Sequence, residues 1–393
     1  MKAILHIGTE KTGTTTLQNF LVKNRPAFLE KGYYIPESVG VGNNRGLASC
    51  SMEFGKLDDY YYDKGIDSQE KRGRFDKELV ARFTEEIERL EDGYHTVILS
   101  SEHFHSRCVS KNEVENVRKI LRPLFEEIKV VVYLRPQVDM AVSLYSTNLR
   151  SGSSSEFYDF LKRHCQSSNP YYNYDDLLNK WSQVFGGSDI SVRIFDRNTM
   201  LNGDIVDDFF DVVGFDGDLY HFDKVKNLNE SLTPFGQEIL RLSNKYNYGF
   251  NISGVPFKVR LLQLVDQEFI GKGCSPSSNL AKEIQGYFEK INKNVAEKWF
   301  ERKKLFDFNF EYYGEGRKLE DGYKVALETF FSCYQDVMPK EIDVIRDAAI
   351  VLESENVKQA SELMQLALKL RPNGALLKKK MLEYKDNMDA EKN

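Results

Sequence analysis

Near its start the chain reads Gly8-Thr9-Glu10-Lys11-Thr12-Gly13-Thr14-Thr15. These residue types suit the binding of a phosphate-like anion. Glycines let the backbone bend closely around such a group, Thr14 and Thr15 add hydroxyl donors, and Lys11 adds a full positive charge. Where such a turn opens a helix, the free N–H groups of the first helical turn converge and the helix dipole adds positive potential. A second set of reactive types is Glu102, His103 and His105, any of which could move a proton to or from a reacting hydroxyl. A third is Arg135, whose guanidinium offers a two-pronged grip on an oxyanion.

The surrounding pattern predicts how these residues are held. Residues 2–7 form a short apolar run closed by Gly8, and Leu17, Phe20 and Leu21 recur at helical spacing within residues 16–24. The opening is therefore strand, glycine turn, helix. Residues 75–90 carry Leu79, Phe83, Ile87 and Leu90 on one stripe and predict an amphipathic helix. Strands are expected over 96–99, 129–134 and 190–195, and helices over 114–125 and 138–150. Near-continuous apolar strands alternating with helices predict an α/β fold, a three-layer arrangement like that of P-loop proteins with a central parallel sheet flanked by helices. Ligands of such sheets bind beyond the carboxyl ends of the strands. The loop, Glu102 and Arg135 each follow a predicted strand, so they are expected to share one cleft. If Glu102 and His103 continue their strand, their side chains point to opposite faces.

Two stretches, 40–74 and 151–173, are polar and irregular and carry Tyr60-Tyr61-Tyr62 and Tyr171-Tyr172. They are either binding loops or plain surface insertions. Residues 342–384 are helical by periodicity, with Ala360, Met364, Ala367 and Pro372 at the offsets of the second helix of a tetratricopeptide repeat. The expected organisation is a main domain over 1–320 and a helical, tetratricopeptide-like extension over 341–393. A single repeat cannot bury its own apolar face, so the extension serves as a cap or as a surface for a protein partner or for self-association.

Composition narrows the classes. The chain has 393 residues, 41% hydrophobic and 29% charged, which is ordinary globular usage. A net charge of −6 disfavours nucleic-acid binding. Cys50, Cys108, Cys165, Cys274 and Cys333 are scattered, with no C-x-x-C pair, so neither a disulfide framework nor a zinc site is expected, and no other metal site stands out. The apolar run after Met1 is too short for a signal peptide, and no stretch reaches the length of a membrane span. A cytoplasmic location is expected.

The loop is not a Walker A motif, G-x-x-x-x-G-K-[ST]. Gly8 and Gly13 have that spacing, but Thr14 takes the lysine position and the lysine stands three places earlier. A kinase loop needs its lysine on the β- and γ-phosphates; a lysine inside the loop lies along a shorter anion, near its bridging oxygen. In this respect GTEKTGTT resembles the 5′-phosphosulfate loop of sulfotransferases that use 3′-phosphoadenosine-5′-phosphosulfate (PAPS). Their second signature is an arginine after a later strand and a serine eight residues on; YLRPQVDMAVSLY supplies Arg135 and Ser143. Residues 171–186, 192–215, LNESL (228–232) and the NKNVAEKWF segment are similar to the bacterial, carbohydrate-type branch, so the resemblance spans about residues 1–310.

The resemblance implies that Gly8, Thr9, Glu10, Lys11, Thr12, Gly13, Thr14 and Thr15 cradle the 5′-phosphosulfate and that Arg135 and Ser143 grip the 3′-phosphate. It further implies Lys11 on the bridging oxygen, 3′,5′-ADP as product, no metal, and a carbohydrate hydroxyl as acceptor. Glu102 is the expected base by analogy with carbohydrate enzymes; His103 and His105 are rivals, because the small-molecule branch uses histidine. Gly271-Lys272-Gly273 is weakly similar to a phosphate-contacting element of the family. The competing readings are a P-loop nucleoside or small-molecule kinase and a nucleotide-binding scaffold.

Overall fold

The five strands of the sheet are β1 (Lys2–His6), β2 (Tyr33–Tyr34), β3 (Thr96–Ser100), β4 (Glu127–Leu134) and β5 (Ile190–Ile194). They are all parallel, in the order β2-β3-β1-β4-β5. This is a computed structural model, and it describes every residue except 226–230, 247–250, 253–254, 355 and 391–393. The sequence segment LNESL therefore lies mostly outside the described residues.

The predicted α/β architecture with a central parallel sheet is present. β1, β3 and β4 are buried along almost their whole length, which is why they read as unbroken apolar runs. Ile4, Ile98, Val131 and Tyr133 point to one face and pack with Leu17, Phe20 and Leu21 of the helix Thr14–Lys23 and with Phe209 and Phe210 of the helix Ile205–Val213. On the same face the buried Asp208 carboxylate accepts from the Tyr133 hydroxyl at 2.8 Å, from Arg193 Nε at 3.0 Å and from the Leu201 amide at 3.0 Å. Burial pushes that carboxyl up, but Arg193 and the other donors outweigh it and hold it below its ordinary value. Elsewhere the helix Tyr174–Phe185 packs on β4 and β5 and against the helix Lys111–Leu121.

The chain leaves β1 toward β2 and β3 on one side, then crosses to β4 and β5 on the other. The order thus reverses about β1, and the crevice at such a reversal is where open α/β sheets bind ligands.

The stretch 40–74 is more ordered than its composition suggests, with helices Arg45–Ser51 and Asp59–Asp63. Tyr61 is fully buried beside Met52 and Ile66. Arg72, also buried, donates to the carbonyls of Met52 and Glu53 at 2.6 and 2.7 Å, tying this stretch to the helix Gln69–Glu88. In the stretch 151–173, the helix Phe157–His164 and a 3₁₀ turn, Pro170–Tyr172, leave Tyr172 buried.

Two compact units are distinguishable. The first comprises Met1–Ser143, Leu161–Asn229 and Ser278–Tyr312 and holds the sheet; the second comprises Leu144–Phe160, Glu230–Ser277 and Tyr313–Asn393. In the second, the helices Asp321–Leu352, Val357–Leu370 and Ala375–Ala390 bury Ile342, Ala349, Ala360, Met364, Ala367, Leu377 and Tyr384 together. The small residues that resemble a repeat are thus the interior of a three-helix packing. Arg241, buried in the same unit, pairs with Glu238 at 2.8 Å and Glu328 at 3.1 Å, joining the helix Pro234–Tyr246 to Asp321–Leu352.

Among the described residues no three His, Cys, Asp or Glu side chains are grouped to hold a metal ion, and no helix is long and apolar enough to cross a membrane.

Candidate active site

The loop after β1 is built by continuing the sheet one step further. The Ile7 amide donates to the Val131 carbonyl at 3.0 Å, the Tyr133 amide to Gly8 at 2.7 Å, and the Thr9 amide back to Tyr133 at 3.0 Å. The Thr9 hydroxyl also donates to the Tyr133 carbonyl, at 3.0 Å, and the Thr12 hydroxyl to the Thr9 carbonyl, at 2.6 Å. Both threonines are buried, so their hydroxyls brace the loop.

Gly13, in the left-handed region at φ 77°, turns the chain into the helix Thr14–Lys23. A Cβ there would press on Phe195 at 3.1 Å, and one on Gly8 would meet the Glu102 backbone at 3.2 Å. The glycines therefore allow three chain segments to close on one another. No side chain caps the helix and its first turn holds no acid. Neither the Thr14 nor the Thr15 hydroxyl bonds to another group among the described residues. The helix start is left open to an anion.

Arg135 directly follows β4 and reaches back to the loop, donating from one terminal nitrogen to the Lys11 carbonyl at 2.6 Å. Its other terminal nitrogen pairs with Asp139, one helical turn on. The guanidinium lies 5.6 Å from the Phe195 ring centroid, and its Nε is buried without a partner. The Tyr174 hydroxyl fixes the Arg135 carbonyl at 2.8 Å. Ser143 sits two turns along the helix Gln137–Arg150, partly exposed.

Glu102 follows β3. The expectation that Glu102 and His103 face opposite ways is corrected by the structure: Glu102 has helical backbone angles and caps the short helix His103–Arg107. Neighbouring side chains there are about 100° apart, not 180°. Gln18 Nε2 donates to Glu102 Oε2 at 2.9 Å, and Asn43 Nδ2 donates to the same oxygen at 3.2 Å. Asn43 is itself oriented by the Ser101 hydroxyl, which donates to its Oδ1 at 2.7 Å. Glu102 Oε1 is left clear of both amides.

The two histidines differ. His105 is buried, and its Nε2 lies 2.9 Å from the Tyr171 carbonyl. A carbonyl only accepts, so Nε2 carries the proton and Nδ1 is a bare acceptor, without a partner. Burial lowers this histidine to about 4. The Tyr171 ring packs 4.5 Å from it, and the phenol is pushed upward by burial and by the nearby Glu10. His103 is also shifted down by burial, partly opposed by Glu102 and Glu10. Glu10, Glu102, His103, His105 and Tyr171 are thus one electrostatic neighbourhood.

The structure brings the loop, Glu102 and Arg135 together at the carboxyl ends of three adjacent strands. Gly271-Lys272-Gly273 belongs to the second unit, where a Cβ on Gly273 would collide with Gln237 at 2.2 Å; its glycine is explained by packing. Sequence reasoning missed Gln18, Asn43 and Asp139. Gln18 falls one turn after Thr14 on a helix, a spacing that carries a signal, and Asp139 stands only four residues after Arg135, within the first turn of the helix that follows it. Nothing local ties Asn43 to a residue 59 positions away.

No family model matches the chain. It is similar to an uncharacterized protein of Archaeoglobus fulgidus, 27% identical over 262 residues, which cover 62% of this chain and 68% of that protein. Among solved structures it is matched to a sulfotransferase from Alicyclobacillus acidocaldarius at 16% identity, over 49% of this chain and 72% of that one, with a TM-score of 0.29. An overlap that loose carries no argument about this chain.

Proposed function

We propose that the chain transfers a sulfuryl group from PAPS to an acceptor hydroxyl, with a carbohydrate as the acceptor class. The observation that carries this reading is the Arg135 guanidinium on the Lys11 carbonyl at 2.6 Å. It joins an uncapped, acid-free helix start to a second cation held by an adjacent strand, as a nucleotide with separate 5′ and 3′ anions requires. In this reading the loop amides with Thr14 and Thr15 hold the 5′-phosphate, and Arg135 with Ser143 grips the 3′-phosphate.

The reaction is an in-line displacement. The acceptor oxygen bonds to sulfur, the bond from sulfur to the bridging oxygen breaks, and 3′,5′-ADP departs with the electron pair. Lys11 stabilises the charge growing on that bridging oxygen. Glu102 Oε1 takes the acceptor proton while Gln18 and Asn43 hold Oε2. His105 is a poorer base, because burial lowers it to about 4 and its bare Nδ1 is enclosed.

An acceptor screen with sulfur-labelled PAPS tests the activity, and label moving to no hydroxyl acceptor would contradict it. Thermal shift separates this reading from a kinase: 3′,5′-ADP should stabilise the chain more than ATP with Mg²⁺ does, and the reverse order would favour the kinase.

A further inference from the structure

Away from the strand-end site, the first unit holds a cavity of about 370 Å³. That is within the range of about 300–1,000 Å³ typical of small-molecule pockets. It lies between the helices Ser278–Gly286 and Glu289–Phe300 and the segment 303–310.

Its charge is unlike that of the chain as a whole. Lys282, Lys293, Lys303 and Lys304 line it, against two carboxylates, Glu289 and Asp307, in a protein of net charge −6. Lys293 has one loose ion pair, with Glu297 at 3.8 Å. Lys282, Lys303 and Lys304 have no ion pair or hydrogen bond among the described residues.

The cavity floor is fixed and leads toward Arg135. The buried Asn292 exchanges two hydrogen bonds with Gln137, at 2.7 and 3.0 Å, and Gln285 donates to Gln137 at 2.6 Å. Gln285 in turn accepts from the Val138 amide at 3.1 Å. Gln137 and Val138 begin the helix that follows Arg135-Pro136. On the wall, the ring of Phe306 meets Tyr174, which holds the Arg135 carbonyl.

Among the described residues no arginine lines the cavity, so it lacks the planar fork that grips a single oxyanion through two parallel bonds. Its cations are point charges on three separate segments, which suits anions spaced along a ligand. Phe308 and Phe310, with ring centroids 5.0 Å apart and partly exposed, offer apolar faces beside them. Spaced anions joined by rings with apolar faces describe an acidic oligosaccharide.

We infer that this cavity binds the acidic part of the acceptor, a carbohydrate bearing carboxylate or sulfate groups. The inference rests on the sulfuryl-transfer reading for the word acceptor, but the binding site stands on the cavity itself.

Calorimetry on the full chain tests it, with tetragalacturonate, a heparin tetrasaccharide and neutral maltotetraose as probes and 3′,5′-ADP titrated in parallel. One or both acidic probes should bind, more weakly as salt rises, and maltotetraose at least about tenfold more weakly. The better acidic probe identifies the anion. The exposed double variant Lys303→Gln/Lys304→Gln should weaken acidic-probe binding about tenfold and leave 3′,5′-ADP affinity unchanged. Equal affinity for maltotetraose, no acidic-probe binding, or affinity indifferent to the double variant overturns the site. An acidic probe bound by a chain that does not bind 3′,5′-ADP overturns the acceptor role through its premise, not through the cavity.

Discussion

Two helix starts in the first unit contrast sharply. The helix Lys111–Leu121 opens with a complete capping box: Ser110 Oγ accepts from the Glu113 amide at 3.3 Å, and the Glu113 carboxylate accepts from the Ser110 amide at 3.0 Å. Glu113 also takes the Val109 amide at 2.9 Å, the Glu53 amide at 3.1 Å and the Lys56 ammonium at 2.7 Å. The amides of Val109, Ser110 and Glu113 there are answered by side chains of the protein itself. The helix Thr14–Lys23 has no side-chain cap and no acid, and it follows a loop with Lys11 in the left-handed region at φ 62°. Around it the Nε of Arg135, Nδ1 of His103 and of His105, and the Tyr171 hydroxyl are buried without partners. Unanswered polar groups cost stability. Their concentration around one helix start and the complete capping box at the other separate a place open to a ligand from a place built for folding.

The contrast can be broken by substitution. Lys11→Ala should have the largest effect, slowing single-turnover sulfuryl transfer about 10³-fold; a near-normal rate would remove Lys11 from the chemistry. Glu102→Gln should lower turnover about 10²-fold while 3′,5′-ADP affinity, read by calorimetry, stays unchanged. Full activity would pass the base role to His103 or another group.

Asp139→Asn should act the other way. It removes the carboxylate paired with Arg135 and should tighten 3′,5′-ADP binding about threefold. Weaker binding would mean that Asp139 orients the guanidinium more than it neutralises it.

At the capped helix, Glu113→Ala should cost about 2 kcal/mol in urea unfolding and leave the donor affinity of the folded chain alone. Burial raises the Glu113 carboxyl, but Lys56 and the amides outweigh it and hold it below its ordinary value of 4.5. A carboxyl lowered by folding stabilises the protein above its unfolded pKa, and that contribution fades as the pH falls below about 4.5 toward the folded value. The variant should therefore lose less stability than the parent over that acid range. An equal loss in both would place the acid sensitivity elsewhere.

Much of this was legible in the sequence, for identifiable reasons. β1, β3, β4 and β5 fall within two residues of the expected ends: β1, β3 and β4 are buried along almost their whole length and leave near-continuous apolar runs, and the partly buried edge strand β5 alternates Ile190, Val192 and Ile194 with polar residues. The loop was legible because glycine, lysine and threonine at those spacings have few uses in a strand-to-helix turn. β2 is only two residues long and leaves no period to read. The helices in the stretch 40–74 were missed because their burial comes from partners distant in sequence, as when Arg72 gathers the carbonyls of Met52 and Glu53. The support of Glu102 was hidden likewise, since Asn43 reaches it only through the folded chain. The tail read correctly as helical, yet its first helix starts at Asp321, ahead of the periodic stretch that announced it.

The central claim is that one nucleotide is held at both its 5′ and 3′ anions, and parallel calorimetric titrations with 3′,5′-ADP and 5′-AMP test it most directly. The parent chain should bind 3′,5′-ADP at least about tenfold more tightly than 5′-AMP, and Arg135→Ala should erase the difference by weakening only the former. Equal affinities for the two nucleotides in the parent chain would contradict the account.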